Sequence, residues 1–481
     1  MQNPMRYENF IDGQWIGSER WSPNVNPSEL ADVVGYVAMA TPDMAELAIE
    51  AASNAFGTWS QGPIQQRAEI LERVGLEIVA RKDELGRLLA REEGKTLREA
   101  IGEVVRAGQI FKYYAQEVLR PHGQHLPSVR PGIEIEVTAE PVGVISIITP
   151  WNFPIAIPAW KIAPALAFGN CVVFKPAELV PGCAWALAEI LSRSGLPRGV
   201  FNLVMGHGAE LGPALTTDPR VTAISFTGSE ATGGRIAQAA ATTGKRLQLE
   251  MGGKNPLVVL DDAALDVAVD AAVQGAFYST GQRCTATSRI IVTDGIHDRF
   301  LSAFEAATRN LRVGHALEDS TDVGPAVDAT QLDKNLRYVS LGQDEGARLL
   351  VGGERIRAAN DGFFFAPAIF ADCRPDMRIA RDEIFGPIAA VLRASDSNHA
   401  LALANDSDFG LSAGVCTQSL AQATRFRRGL QAGMVMVNTP TAGVDYHVPF
   451  GGTKGSSSGP HEQGWAAREF FTTSKTSYIR A

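Results

Sequence analysis

Three residues of this 481-residue chain have the type and setting for covalent chemistry: Cys284, Glu250 and Asn152. Cys284 lies in STGQRCTATS, a small, polar, glycine-containing turn after a helical segment ending at Phe277. Such a turn exposes a thiol, and the preceding Arg283 is expected to favour its thiolate. A lone cysteine is more often a buried small hydrophobe, a reading that suits Cys171 and Cys183 in their apolar contexts better than it suits Cys284. Glu250, in RLQLEMGGKNP, ends an apolar strand and precedes two glycines, so it would stand at a strand mouth that backbone or ligand can approach closely. Desolvation there would raise its pKa toward the range of a general base; a glutamate capping the next turn is the bland alternative. Asn152 lies in PWNFP, where Pro150 and Pro154 hold Trp151, Asn152 and Phe153 extended. Its amide, with a backbone N–H, would make an oxyanion hole.

Further segments have the character of ligand contacts. FKPAE carries Lys175 and Glu178 just past a strand, where they suit the hydroxyls of a ribose. FTGSEATGGR puts Thr227, Gly228, Ser229, Thr232 and Gly233 between a strand and a helix start, a phosphate-binding setting without the G-x-G-x-x-G fingerprint. RDEIFGP adds Glu383 and Phe385.

Positioning these residues requires a scaffold, and the pattern supplies one. Segments 43–57, 64–92 and 97–119 place apolar residues at helical spacing among Glu, Arg and Lys. From residue 141 short apolar runs alternate with helices: VGVISIIT, NCVVFK, GVFNLVM, TAISFTG and RLQLE. That alternation predicts an α/β fold with a doubly wound, Rossmann-like parallel sheet and ligands at the carboxyl ends of its strands. A second alternating block runs from NPLVVL to GMVMVN with a long helix near 297–311. A Gly/Ser-rich loop, 451–464, then leads to a half-polar terminal strand, FFTTSKTSYIRA, whose expected partner is EIEVTAE at 134–140. The uncharged stretch Pro141–Trp160 has membrane-span length, but Pro150, Pro154 and Pro158 make it a buried strand and loop.

Composition narrows the functional class. The hydrophobic share is 45% and the charged share 20%, an ordinary globular profile large enough for about three domains. A net charge of −9 argues against nucleic acid, so the expected partner is a small molecule. Five cysteines without a C-x-x-C pair argue against disulfides and a Cys-rich zinc site. The N-terminal MQNPMRYENFIDGQW lacks a secretory apolar core, and a cytoplasmic, membrane-free protein is expected.

Taken in order, PWNFP, FKPAE, FTGS, LEMGGK, GQRC, EIFGP and PFGG resemble the aldehyde dehydrogenase superfamily over essentially the whole chain. The resemblance implies Cys284 as nucleophile, Glu250 as general base and Asn152 as oxyanion amide, with no metal required. It implies NAD, with NADP possible, held by Thr149, Pro150, Trp151, Lys175, Glu178, Gly208, Thr227, Gly228, Ser229, Thr232, Met251, Glu383 and Phe385. Met251 stands where the family usually has Leu, a volume-conserving change. The implied substrate contacts are Phe153, Trp160, Arg283 and Phe450, with the Arg283 guanidinium expected to pair with a substrate carboxylate. The implied domains are a cofactor domain (1–118 and 142–253), a catalytic domain (254–450) and oligomerisation strands (119–141 and 465–481) of a homodimer or homotetramer. The tail NTPTAGVDYHVPFGGTKGSSSGPHEQG resembles the branch that oxidises α-ketoglutaric semialdehyde, with succinic, glutaric and aminoadipic semialdehydes as near alternatives. A cysteine esterase or hydrolase using Cys284 and Glu250 is the alternative of a different class; acyl transfer to coenzyme A is disfavoured because enzymes of that branch lack the glutamate.

Overall fold

The computed structural model describes residues 5–120 and 123–480; the parts of the expected domain spans at 1–4, 121–122 and 481 lie outside the described residues. The first third is helical, with Pro42–Ser60, Ile64–Ala80, Lys82–Glu93 and Leu97–Glu117. Thr41 caps the first helix, its side chain accepting the Met44 N–H, and Thr96 and Glu99 form a reciprocal capping box on the last. The expected single helix over 64–92 is two, because Arg81 leaves the helical conformation (φ −98°, ψ 18°) while its N–H still closes on the Glu77 carbonyl. Its guanidinium reaches Glu77, Glu84 and Glu189, anchoring the break to a neighbouring helix.

Behind these helices lies an eight-stranded sheet whose centre is parallel. Its middle strand, Val144–Ile148, is followed outward on one side by Cys171–Lys175 and Phe201–Leu203, and on the other by Val221–Thr227 and Arg246–Glu250. Strand order therefore reverses between Val144–Ile148 and Val221–Thr227, opening a crevice at their carboxyl ends. Two short N-terminal strands, Asn9–Ile11 and Gln14–Ile16, extend one edge. At the other edge Ser457 and Ser458, inside the Gly/Ser-rich loop, pair with Glu250 and Leu249. That segment was expected to lead from the second block to the terminal strand; on the way it also threads back onto the first sheet. The uncharged 141–160 stretch is a strand, a loop and the start of the helix Ala156–Ala167. Pro158 fits because it lies in the first turn, where its missing N–H costs no helical bond. No described helix is long and apolar enough to cross a membrane.

The second sheet has seven strands, with parallel Ala368–Ala371, Ile388–Ala394, Thr287–Thr293, Asn255–Val259, Ser412–Cys416 and Met434–Val437 bounded by antiparallel Arg348–Val351. Only residues 251–254 separate Glu250, the end of a first-sheet strand, from Asn255, the start of a second-sheet strand. The amino ends of the second sheet thus face the carboxyl ends of the first. In a third, separate sheet, Thr472–Arg480 pairs antiparallel with Ile133–Pro141 over nine residues, and Gln124–Pro127 completes it. The expected pairing of the terminal strand with EIEVTAE is therefore present.

Candidate active site

The carboxyl ends of the first sheet bring the ligand-type residues into register. Ile148 is paired with both Lys175 and Phe226, and Thr227 with Glu250, so Thr149, Lys175, Thr227 and Glu250 emerge along one rim. Thr149 and Thr227 flank the crevice where strand order reverses, and the hydroxyl of each is buried without a partner. Ser229 caps the helix Glu230–Thr243 that starts there, its Oγ accepting the Thr232 N–H. Helix Gly208–Thr217 begins beside the next strand, and the Gly208 N–H donates to Glu178 Oε1 at 2.7 Å while Lys175 Nζ donates to the same oxygen at 3.1 Å. Burial alone would raise the Glu178 carboxyl; Lys175 and these hydrogen bonds outweigh it and hold Glu178 below the usual range.

Cys284 is partly buried, just before the amino end of strand Thr287–Thr293. The turn leading to it is unusual: Ser279 and Thr280 have φ of 51° and 55°, a left-handed conformation that non-glycine residues adopt only when the surroundings enforce it. Glu99 enforces it here, one oxygen accepting both the Ser279 N–H (2.8 Å) and its hydroxyl (3.0 Å). Asn255 donates to the Cys284 carbonyl at 2.7 Å. Burial, then the charges of Glu383 and Glu250, push the thiol up to about 12. The expectation that Arg283 favours the thiolate is corrected by this balance. Arg283 turns away, its Nη2 donating to the carbonyls of Gln274 and, at 3.2 Å, Gly275 in the last turn of helix Leu265–Phe277. Its Nη2 caps a helix end, which turns the guanidinium toward that helix, while its Nε is buried without a partner.

Asn152 is only 3% exposed. One of its amide hydrogens goes to the Gln282 carbonyl at 3.0 Å, two residues before Cys284, leaving the other free. Its backbone carbonyl accepts from Lys95 Nζ at 2.7 Å. Lys95 is itself buried, paired with Glu103 at 2.7 Å and near Glu93, and lies 3.8 Å from the centre of the Phe153 ring. Glu103 also accepts the N–H groups of Ile155 and Ala156, so one carboxylate ties the PWNFP loop to helix Leu97–Glu117.

Glu250 is 2% exposed and accepts from Ser457 Oγ at 2.7 Å. Burial first, then Glu462, raise its pKa well above the ordinary carboxylate value, against the smaller effects of Ser457 and Lys161. Lys161 bridges Ser225 and Glu462 within this buried group. Glu383 accepts the Gly253 N–H at 2.9 Å, and a Cβ on Gly252 would meet its Oε2 at 2.1 Å, so a side chain there would push the Glu383 carboxylate aside. Phe385, at φ 63°, meets Trp151 edge-to-face with ring centres 5.4 Å apart. Met251 packs against Gly233, where a Cβ would lie 2.4 Å from its sulfur. Trp160 and Phe450 are buried together with ring centres 5.4 Å apart, and Cys284 packs against the small cluster of Leu411, Met434 and Phe450.

The structure thus brings Cys284, Asn152, Glu250, Glu383, Trp151 and Phe385 to the junction of the two sheets, with Lys175, Glu178 and Gly208 further along the first sheet's rim. Lys95, Glu99, Glu103, Lys161, Glu462 and Ser457 were not anticipated. In helices, a helix junction or a Ser-rich loop, their polarity resembles a solvated face, and only the tertiary contacts reveal that Lys95, Glu103, Lys161 and Glu462 are buried and that Glu99 and Ser457 are partly so.

Residues 15–477 match the model of the aldehyde dehydrogenase family, and the chain belongs to that family. Among curated relatives it is 43% identical to an alpha-ketoglutaric semialdehyde dehydrogenase of Bacillus subtilis (strain 168), with 98% of each chain covered. It is 41% identical to an alpha-ketoglutarate semialdehyde dehydrogenase of Haloferax volcanii, again with 98% of each covered. Among solved structures it superposes on betaine aldehyde dehydrogenase from Staphylococcus aureus in complex with NAD+ with a TM-score of 0.96 at 34% identity, covering 98% of this chain and 94% of that one.

Proposed function

We propose that the protein oxidises α-ketoglutaric semialdehyde (2,5-dioxopentanoate) to 2-oxoglutarate with NAD as hydride acceptor. The observation that carries the substrate is the likeness, from end to end, to relatives named for that reaction. Succinic and glutaric semialdehydes are the nearest other candidates.

The crevice fits the cofactor. The orphaned hydroxyls of Thr149 and Thr227 and the capped helix start at Ser229 suit a diphosphate, and Lys175 and Glu178 suit a ribose. Glu383, Phe385 and Trp151 lie toward Cys284, the side where a nicotinamide would be used. NAD, when bound, takes up hydride from the carbon under oxidation. NAD is preferred over NADP, because a 2′-phosphate would meet the charged Glu178.

Cys284, once deprotonated to its thiolate, adds to the aldehyde carbon, giving a thiohemiacetal whose oxyanion faces the free Asn152 amide hydrogen and the Cys284 N–H. Loss of hydride leaves a thioester on Cys284. Glu250, once deprotonated, takes a proton from the water that hydrolyses it, and the carboxylate product leaves. The five unpaired cysteines support a reducing, cytoplasmic setting. The third sheet, with an open edge at Thr472–Arg480, supports a homodimer or homotetramer built on that edge.

A steady-state panel of aldehydes with NAD tests the reading. The highest kcat/KM is expected on 2,5-dioxopentanoate; a maximum on betaine aldehyde or on a neutral alkanal would overturn it.

A further inference from the structure

With Arg283 Nη2 spent on a helix end, a second cation beside the site becomes a candidate for the distal carboxylate of such a substrate. We propose that Arg106, on helix Leu97–Glu117, is the anchor for that carboxylate and sets the preference of the site for acidic semialdehydes. The inference rests on the substrate class proposed above.

Arg106 borders an aromatic pair that adjoins the nucleophile's own apolar cluster. Cys284 packs against the cluster of Leu411, Met434 and Phe450, Phe450 meets Trp160 at a tilt, and the Arg106 guanidinium lies 5.6 Å from the centre of the Trp160 ring. Cys284 is also among the charges that act on Arg106. Its hydrogen-bonding capacity is largely unspent. Nη2 donates to Gln463 Oε1 at 3.2 Å, whereas the buried Nε has no partner. The Trp160 indole N–H, in the same wall, is also buried without a partner.

The carboxylates around Arg106 do not use it. Glu103 is taken by Lys95 and two backbone N–H groups. Asp445 is near enough to act on Arg106 electrostatically, yet no ion pair joins them among the described residues. Burial opposes the charge of Arg106. A guanidinium kept there without a carboxylate partner is a desolvation cost that an incoming anion would relieve. Gln463, its one side-chain hydrogen-bond partner among the described residues, is fully buried and held at φ 59°, so the residue that aims Arg106 is itself in a strained backbone position. A semialdehyde with its aldehyde at Cys284 would lie along Phe450 and Trp160 and present its carboxylate to the Arg106 fork.

Glutarate semialdehyde and pentanal have equal chain length and differ in the carboxylate, so they isolate this interaction. For Arg106→Met the ratio of kcat/KM on glutarate semialdehyde to that on pentanal is expected to fall about 10- to 100-fold, mainly through KM. Arg106→Lys should retain part of the ratio. Competitive inhibition by glutarate, which needs no turnover, should weaken by a similar factor in Arg106→Met. Should the methionine variant fail to fold, Arg106→Gln gives the same comparison. An unchanged ratio and unchanged glutarate inhibition would overturn the assignment of Arg106 while leaving the substrate class standing. A wild-type enzyme that prefers pentanal overturns the substrate class instead, and the glutarate measurement then decides on Arg106 separately.

Discussion

Cys284 and Glu250 face the same electrostatic problem and should show it differently. Glu250 is buried and Cys284 partly so, both beside other acidic groups, so each holds its proton more tightly than in water. In the cofactor-free enzyme the thiol, at about 12, is almost wholly protonated near neutrality. Alkylation of Cys284 by iodoacetamide should therefore accelerate about tenfold per pH unit between roughly pH 6 and 9 without a plateau, because the thiolate is the reacting form. Mass spectrometry of the modified peptide measures it, and a plateau near neutrality would contradict the environment described. The two residues also divide the reaction. Cys284→Ala should abolish NADH formation while NAD binding, followed by calorimetry, persists. Glu250→Gln should slow turnover about 10²- to 10⁴-fold and let an acyl-enzyme accumulate that intact-protein mass spectrometry detects. Turnover of the glutamine variant at the parent rate would remove the role given to Glu250.

At the scale of elements, helix Leu97–Glu117 and its capping residues act as a bracket for two catalytic loops. Glu99 holds the left-handed turn before Cys284, while Lys95 and Glu103 hold the PWNFP loop. Burial works against the charge on Lys95, and Glu103 and Glu93 more than compensate. Lys95→Met would leave those carboxylates buried without their cation, a change that costs about 3–5 kcal/mol for a broken buried pair. A lower thermal midpoint is expected, together with a fall in kcat of about tenfold or more as the Asn152 amide loses its fixed position. Differential scanning fluorimetry and steady-state kinetics would show both. Little of this bracket is legible in REEGKTLREAIGE, where alternating charge looks like a solvated helix face. The strand mouths carrying Lys175, Thr227 and Glu250 were legible, because apolar runs ending in polar residues state where a buried strand stops. Arg283 shows the opposite limit: adjacency to Cys284 in sequence says nothing about which way a long side chain turns.

At the scale of the whole molecule, the third sheet is the part least explained by a single chain. Leu126, Tyr478 and Ile479 are exposed on it, and Thr472–Arg480 leaves one edge unpaired. Sedimentation equilibrium should give a mass two or four times 51.4 kDa, and Ile479→Glu with Tyr478→Glu should shift it toward the monomer. A wild-type monomer in dilute buffer would contradict the proposed assembly. The partner strands Ile133–Pro141 and Thr472–Arg480 are also separated by more than three hundred residues of chain. Ribosomes add about 5–20 residues per second, so the first strand waits on the order of tens of seconds for the second to emerge. Throughout that interval Ile133, Ile135 and Val137 offer an open strand edge running directly into Val144–Ile148, the centre of the first sheet. The same alternating Glu134, Glu136 and Glu140 that look like ordinary surface polarity in the finished protein then serve as charges that keep two nascent chains from zipping together.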